Sequence, residues 1–237
     1  MIDEAGKRTL LKAIRDRIRG CRKCSIREDY DKPVPFAGSP NARVMFIGEA
    51  PGSEEVERGK PFAGKSGQLL RSAIEKAELD GDDLFITNTI LCRPLDNKFP
   101  DDPEIIVNCQ AWLRHQVRVI RPSVVVAVGG KAHKLVFDQR EGITKACGNW
   151  SEMKWPWEED LPSFWYMPVL HPSFCFRGAD GRYDNPVMNM NSQERCALLE
   201  KHIASIPERF VVEEESEEKE EAPPPAATKF ERKKLRF

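Results

Sequence analysis

The chain has 237 residues, 40% hydrophobic and 8% aromatic, enough apolar material for one large domain with a core, which excludes a wholly disordered protein. No apolar run approaches the ~20 residues that span a bilayer, and the charged amino terminus, MIDEAGKRTLLKAIRDR, lacks the apolar stretch of a secretion signal. The formal net charge of −1 conceals an asymmetry, because residues 213–237 hold 8 acids and 6 bases and so leave +1 on residues 1–212.

Residues 6–20 place Leu10, Leu11, Ala13, Ile14 and Ile18 at helical spacing, with Gly20 as the stop. The same helix carries a basic stripe from Lys7 to Lys23, which reads either as a solvated face or as a phosphate-attracting one. Val44–Ile47 is a short buried strand that runs into the glycine-punctuated segment GEAPG. A helix follows over 66–78 with Ser66 as its cap. Leu84–Leu91 is a second β-type run, residues 104–120 a helix stopped before Pro122, and Ser123–Val128 a third strand ending in Gly129-Gly130. A helix over 131–137 precedes a fourth strand, 165–170, which delivers His171-Pro172-Ser173, and a helix over 192–206 closes the fold.

Strands apolar on both faces and alternating with helices predict an α/β domain, a three-layer α/β/α sandwich around a central, mostly parallel four-stranded sheet. Ligands of such sheets bind beyond the carboxyl ends of the strands, where GEAPG, the Asn88 segment, Gly129-Gly130 and His171-Pro172-Ser173 fall. The domain is expected over residues 1–209. Residues 210–237 read as a disordered acidic and Pro-rich tail ending in the basic-aromatic segment KFERKKLRF, either a solubilising tail or a docking peptide for a replication or repair protein. The aromatic stretch SEMKWPWEEDLPSFWY is expected to be core rather than a platform for single strands.

Seven cysteines are an odd number for a paired disulfide framework. Cys21 and Cys24 form a C-x2-C pair, and Cys92 and Cys109 come from a later strand–helix unit. Four such thiolates can close one tetrahedral site, holding either an iron–sulfur cluster or zinc; spacing alone does not separate them. Cys196 reads as a small buried residue, while Cys147 and Cys175 fall in loops near the expected cleft. Gly59–Ser66, GKPFAGKS, fits the phosphate-loop pattern in letters, but it does not spring directly from a strand as such a loop must.

Taken together, GEAPG with Glu55 and Gly59, PFAGKSGQLL, FITNTILCRPLDNKFPDDPEIIVNC, VVAVGGKA and HPS make the chain, over about residues 15 to 205, resemble family 4 uracil-DNA glycosylases, the iron–sulfur members of their superfamily. The resemblance implies a monofunctional DNA repair glycosylase that flips uracil out of DNA and leaves an abasic site. It assigns Cys21, Cys24, Cys92 and Cys109 to a 4Fe-4S cluster, with zinc as the alternative. It makes Phe62 the aromatic on which uracil stacks and Asn88 the amide that reads its Watson–Crick edge. Gly48, Ala50 and Glu55 join them in the substrate pocket. His171 becomes the donor to uracil O2, and Glu49 and Glu55 are the two candidate carboxylates to organise water or support the cationic sugar; relatives of strong activity have aspartate where this chain has Ala50. Ser173, Phe176 and Arg177 are the implied DNA contacts, and the FCF loop departs from the aliphatic residues usual there. Ala146-Cys147 also stands where relatives often carry an arginine. The resemblance further implies uracil-containing DNA as partner, and a monomer is expected; the charged amino terminus and the lack of a spanning apolar run give the expectation of a cytoplasmic or intracellular setting, nucleoid or viral replication included. Two other functions stay open on the same fold: excision of another deaminated or modified base, and a non-catalytic DNA-binding or replication accessory module.

Overall fold

In the computed structural model, which describes residues 2–26, 32–176 and 185–210, the sequence folds into one central sheet with helices on both faces. The core strands are β2 (Val44–Gly48), β3 (Leu84–Asn88), β4 (Val124–Val128) and β6 (Phe164–Val169), all parallel in the order β3-β2-β4-β6. Two short antiparallel strands, β1 (Ala37–Gly38) beside β3 and β5 (Ser151–Met153) beside β6, extend the sheet to six. With two and three residues they show no periodicity from which they could be read. The four parallel strands are the expected ones.

Side chains alternate across the sheet, and both faces are buried. Met45, Ile47, Phe85, Val125 and Tyr166 pack toward α1 (Glu4–Arg19), α4 (Pro103–Ile120) and α5 (Gly130–Phe137). Val44, Phe46, Val124, Val126 and Met167 pack toward α3 (Lys65–Lys76) and α8 (Ser192–Ala204). The remaining short helices are α2 (Ser53–Arg58), α6 (Ile143–Ala146) and α7 (Pro186–Asn189). Trp155, Leu161, Phe164 and Tyr166 join the first core, so the aromatic stretch is packing rather than a surface platform. Among the described residues no helix is long and apolar enough to cross a membrane.

Two details differ from the sequence reading, and a third agrees with it. Helix α3 starts at Lys65 and is capped by Gly64, not Ser66. β3 ends at Asn88; the Thr89 and Ile90 amides then donate to the Gly48 and Glu49 carbonyls, which prolongs the ladder while the chain turns. SEEVER forms α2, so a helix rather than a strand precedes the phosphate-loop-like segment. The carboxylate of Glu55 also occupies the Gly64 amide. Both features exclude a phosphate loop there. Arg177 and the tail beyond residue 210 lie outside the described residues.

Candidate active site

The chain runs from β2 to β3 on one side and from β3 across to β4 on the other, so the order of connection reverses at the carboxyl ends of β2 and β4. A cleft of about 460 Å³ opens there, the place the topology predicts. Glu49 and Ala50 enter it from β2, Asn88 from β3, His171 and Ser173 from the end of β6, and Phe62 from the loop before α3.

Asn88 is paired in register with Gly48 and is only 3% exposed. Its side-chain amide lines the cleft, and among the described residues no hydrogen bond from it is seen. A Cβ built on Gly48 would strike both Asn88 Oδ1 and the Phe62 ring, lying 2.5 Å from Phe62 Cζ. Only glycine lets the amide and the ring share that corner. Phe62 itself has φ 53, a left-handed conformation that is strained for an aromatic residue by about 1–2 kcal/mol. Arg71 of α3 supports the strained turn by donating to the Pro61 and Phe62 carbonyls, both at 3.1 Å. The sequence reading did not find Arg71, because its partners lie nine and ten residues away in an irregular loop.

Glu55 has both carboxylate oxygens engaged, accepting from the amides of Gly52 (3.0 Å) and Gly64 (2.7 Å). It thereby ties the loop after β2 to the start of α3, two walls of the cleft. Glu49 Oε1 accepts the Lys131 amide at 3.3 Å, where the carboxylate also faces the positive end of α5. Gly129 (φ 98) brings Glu49 and His171 together: a Cβ there would lie 2.7 Å from Glu49 Oε1 and 3.1 Å from His171 Cβ.

His171 Nδ1 accepts the backbone N–H of Ser173 at 3.2 Å and lies 2.7 Å from its hydroxyl. A nitrogen that accepts an amide proton cannot carry one, so the neutral ring holds its proton on Nε2 as a donor. The turn Pro172–Phe176 is gripped from α8 by the buried Arg195, which donates to the Phe174 carbonyl (3.2 Å) and stacks on the Phe174 ring (4.0 Å). Arg195 was also missed; its signal is a cation on the stripe that continues to Leu199 and Ile203. Phe176 stands half exposed with Lys65 Nζ 5.4 Å above its ring. Cys175 is buried in the core and so does not reach the cleft.

A second, small cavity is lined by Cys21, Cys24, Cys92 and Cys109 together with Ile18, Leu91 and Trp112. Among the described residues, Cys, His, Asp and Glu side chains form no group of three in a metal-holding arrangement, so the four thiols share the cavity without converging on one point. Burial, with the neighbouring Cys24 and Cys21 adding to it, pushes the Cys109 thiol up to about 11. The donor set is chemically uniform: four sulfurs, with no carboxylate or imidazole on the cavity wall. That composition fits a thiolate-bound centre. Ala50 and Phe99, which line the cleft, also pack against the apolar cluster around Ile90, Cys92 and Cys109, so the two cavities share a wall.

A parallel α/β sheet with a buried amide, a stacked ring and an oriented imidazole at its switch point is the build of a base-recognising pocket. Residues 35–202 match the family model described as the Uracil DNA glycosylase superfamily, and the chain belongs to that superfamily. Its place within it is with the type-4 members. The type-4 uracil-DNA glycosylase of Sulfurisphaera tokodaii is 33% identical over 86% of this chain and 89% of its own length. Those of Saccharolobus solfataricus and Thermotoga maritima are 34% and 32% identical, over 69% and 71% of this chain and 76% and 84% of their own.

Proposed function

We propose that this protein hydrolyses the N-glycosidic bond of uracil in DNA and leaves an abasic site. The observation that carries the reading is Asn88, a buried amide without a partner among the described residues, aimed into a cleft beside an aromatic ring. A ligand that displaces water from that amide must match both of its atoms or leave them unpaired. Extruded uracil matches both: O4 accepts from Nδ2, N3–H donates to Oδ1, and the base plane rests on Phe62. Cytosine presents the opposite polarity to both atoms of the amide.

Bond cleavage leaves negative charge on the base, and the Nε2–H of His171 donates to O2 where that charge develops. Glu49, held at the start of α5, is the carboxylate placed to orient water or to face the cationic sugar. Glu55 shapes the pocket through the two backbone amides it binds, and Ala50 supplies wall rather than chemistry. Ser173 steadies His171, while Phe176 and Arg177 meet the DNA.

Cys21, Cys24, Cys92 and Cys109 hold a 4Fe-4S cluster in this reading. Cys21 and Cys24, after α1, and Cys92 and Cys109, of the β3–α4 unit, would be tied together by a cluster bound between them, which would supply structure rather than a step of the hydrolysis. The place among type-4 relatives supports the cluster over zinc, whereas a uniform four-sulfur set suits either.

Excision from oligonucleotides carrying a single uracil, with Asn88→Ala and His171→Ala as controls, tests the reading. Uracil release with an uncleaved abasic product, and no borohydride-trapped adduct, is the expected result. Preference for hypoxanthine or hydroxymethyluracil would replace the substrate, and release no faster than in either control would leave only a DNA-binding module. Metal analysis of the purified protein distinguishes iron and sulfide from zinc.

A further inference from the structure

Five large apolar side chains are prominently exposed among the described residues, and two of them, Leu95 (58%) and Phe176 (50%), lie next to cleft-lining residues: Leu95 follows Pro94 in the chain, and Phe176 lies under Lys65 Nζ. Phe176 ends the turn after β6. Leu95 begins the turn Leu95–Asn97 after β3, in a segment whose Pro94, Asn97 and Phe99 line the cleft. β3 and β6 are three places apart in the sheet, roughly 14 Å at the ~4.8 Å spacing of strands, so the two turns leave the sheet from strands on either side of β2 and β4, where the cleft opens.

The Leu95 turn is built to hold its tip outward. Asp96 and Asn97 both take left-handed backbone, with φ 50 and 55, a conformation that two successive residues with side chains adopt only when their surroundings impose it. Asn97 Oδ1 accepts from Arg93 Nε at 2.9 Å, and the Asn97 and Lys98 amides close back on the Pro94 and Leu95 carbonyls. Phe99 turns inward against the wall shared with the cysteine cavity, with Lys131 Nζ 5.0 Å over its ring. Leu95 is thus excluded from the core by its own turn. Arg93 and Lys98 flank the turn in sequence and Lys131 lies over the nearby Phe99 ring, with Asp96 the acid of the turn, a composition that suits phosphates.

We infer that Leu95 is a second apolar contact to DNA, seated in the base stack beside the extruded nucleotide and on the far side of the cleft from Phe176. The inference rests on the base-excision reading. Base faces are the apolar surface that a nucleic acid offers, and a leucine on a stiff turn reaches them by partly unstacking a step. Such a contact helps most where stacking and pairing must be broken, so its loss falls harder on duplex than on single-stranded substrate.

The test compares Leu95→Ala, Leu95→Met and, as a distant exposed control, Leu10→Ala. Each is assayed by single-turnover excision of uracil from paired and from single-stranded oligonucleotides, and by the fluorescence of 2-aminopurine placed beside the uracil. Leu95→Ala is expected to lower kcat/KM on duplex at least fivefold more than on single strands and to dim the 2-aminopurine signal. Leu95→Met should restore most of both, Leu10→Ala should change neither, and thermal melting should be alike for all. Equal loss on both substrates, no loss, or an unchanged 2-aminopurine signal would overturn the inference. If the parent protein releases no uracil at all, the base-excision reading fails by itself, while the fluorescence comparison still decides whether Leu95 unstacks DNA.

Discussion

Ser173 decides which nitrogen of His171 carries the proton: its backbone N–H donates to Nδ1 at 3.2 Å, and its hydroxyl sits 2.7 Å from the same atom. The two contacts differ in what mutation can remove. Ser173→Ala deletes the hydroxyl and keeps the amide, so the tautomer persists and excision slows by about fivefold, the worth of one ordinary hydrogen bond. His171→Ala removes the donor itself and slows excision by about 10²-fold or more. Single-turnover rates separate the two; equal losses would show that the imidazole is not the donor.

Asn88→Ala leaves the edge of uracil unread and is expected to lower kcat/KM by about 10²-fold, since a base entering that pocket then loses two hydrogen bonds in a water-poor site. Stability should hold or rise slightly, because a buried amide without a partner among the described residues contributes little to the fold. Parallel urea titrations and excision assays check both halves.

Glu55 and Arg71 act on the pocket without chemistry of their own. Glu55→Ala frees the Gly52 and Gly64 amides and is expected to lower stability by about 2 kcal/mol, the range for hydrogen bonds to a charged group, partly screened here. Arg71→Ala releases the turn that holds Phe62, and is expected to raise KM about tenfold, although Arg71 does not line the cleft. An unchanged KM would mean that the turn holds itself.

Three of the four histidines are held below their ordinary range, each chiefly by burial: His115, His133 and His202. His133 is locked as the neutral Nε2–H form, donating to the Glu141 carbonyl and accepting from the Tyr166 hydroxyl. As pH falls through about 6.5 the unfolded chain takes up protons that the folded protein refuses, so stability is full above that pH and declines below it. Melting temperature measured from pH 8 to pH 5 should fall on the acid side. The slope should be shallower in His202→Gln, whose parent ring has a buried Nδ1 without a hydrogen bond.

Serine at Cys21, Cys24, Cys92 or Cys109 is expected to lose iron and to lower the melting temperature, with excision at low temperature falling less than stability does. The shared wall of Ala50 and Phe99 gives the residual effect on excision a route. Brown absorbance and iron content report the loss independently of activity. Retention of full iron in any one variant removes that cysteine from the set.

The four parallel strands, the five longer helices, and the meeting of GEAPG, the Asn88 segment and His171-Pro172-Ser173 at the strand ends were legible in the sequence, whereas the short helices α2, α6 and α7 were not. Apolar runs, glycine turns and short motifs are local, and a strand buried on both faces or a glycine-bound corner leaves its mark within a few residues. The edge strands β1 and β5 were not legible, because pairing with a neighbour, rather than any periodicity, makes two or three residues into a strand. Nor were the duties of Glu55, Arg71 and Arg195, or the tautomer of His171. A carboxylate or guanidinium has the same letter whether it faces solvent or grips a backbone amide or carbonyl, and only packing of the chain against itself decides which partner comes within 3 Å. Leu95 shows the same division: its letter suggests core, and the left-handed turn beside it holds it at the surface.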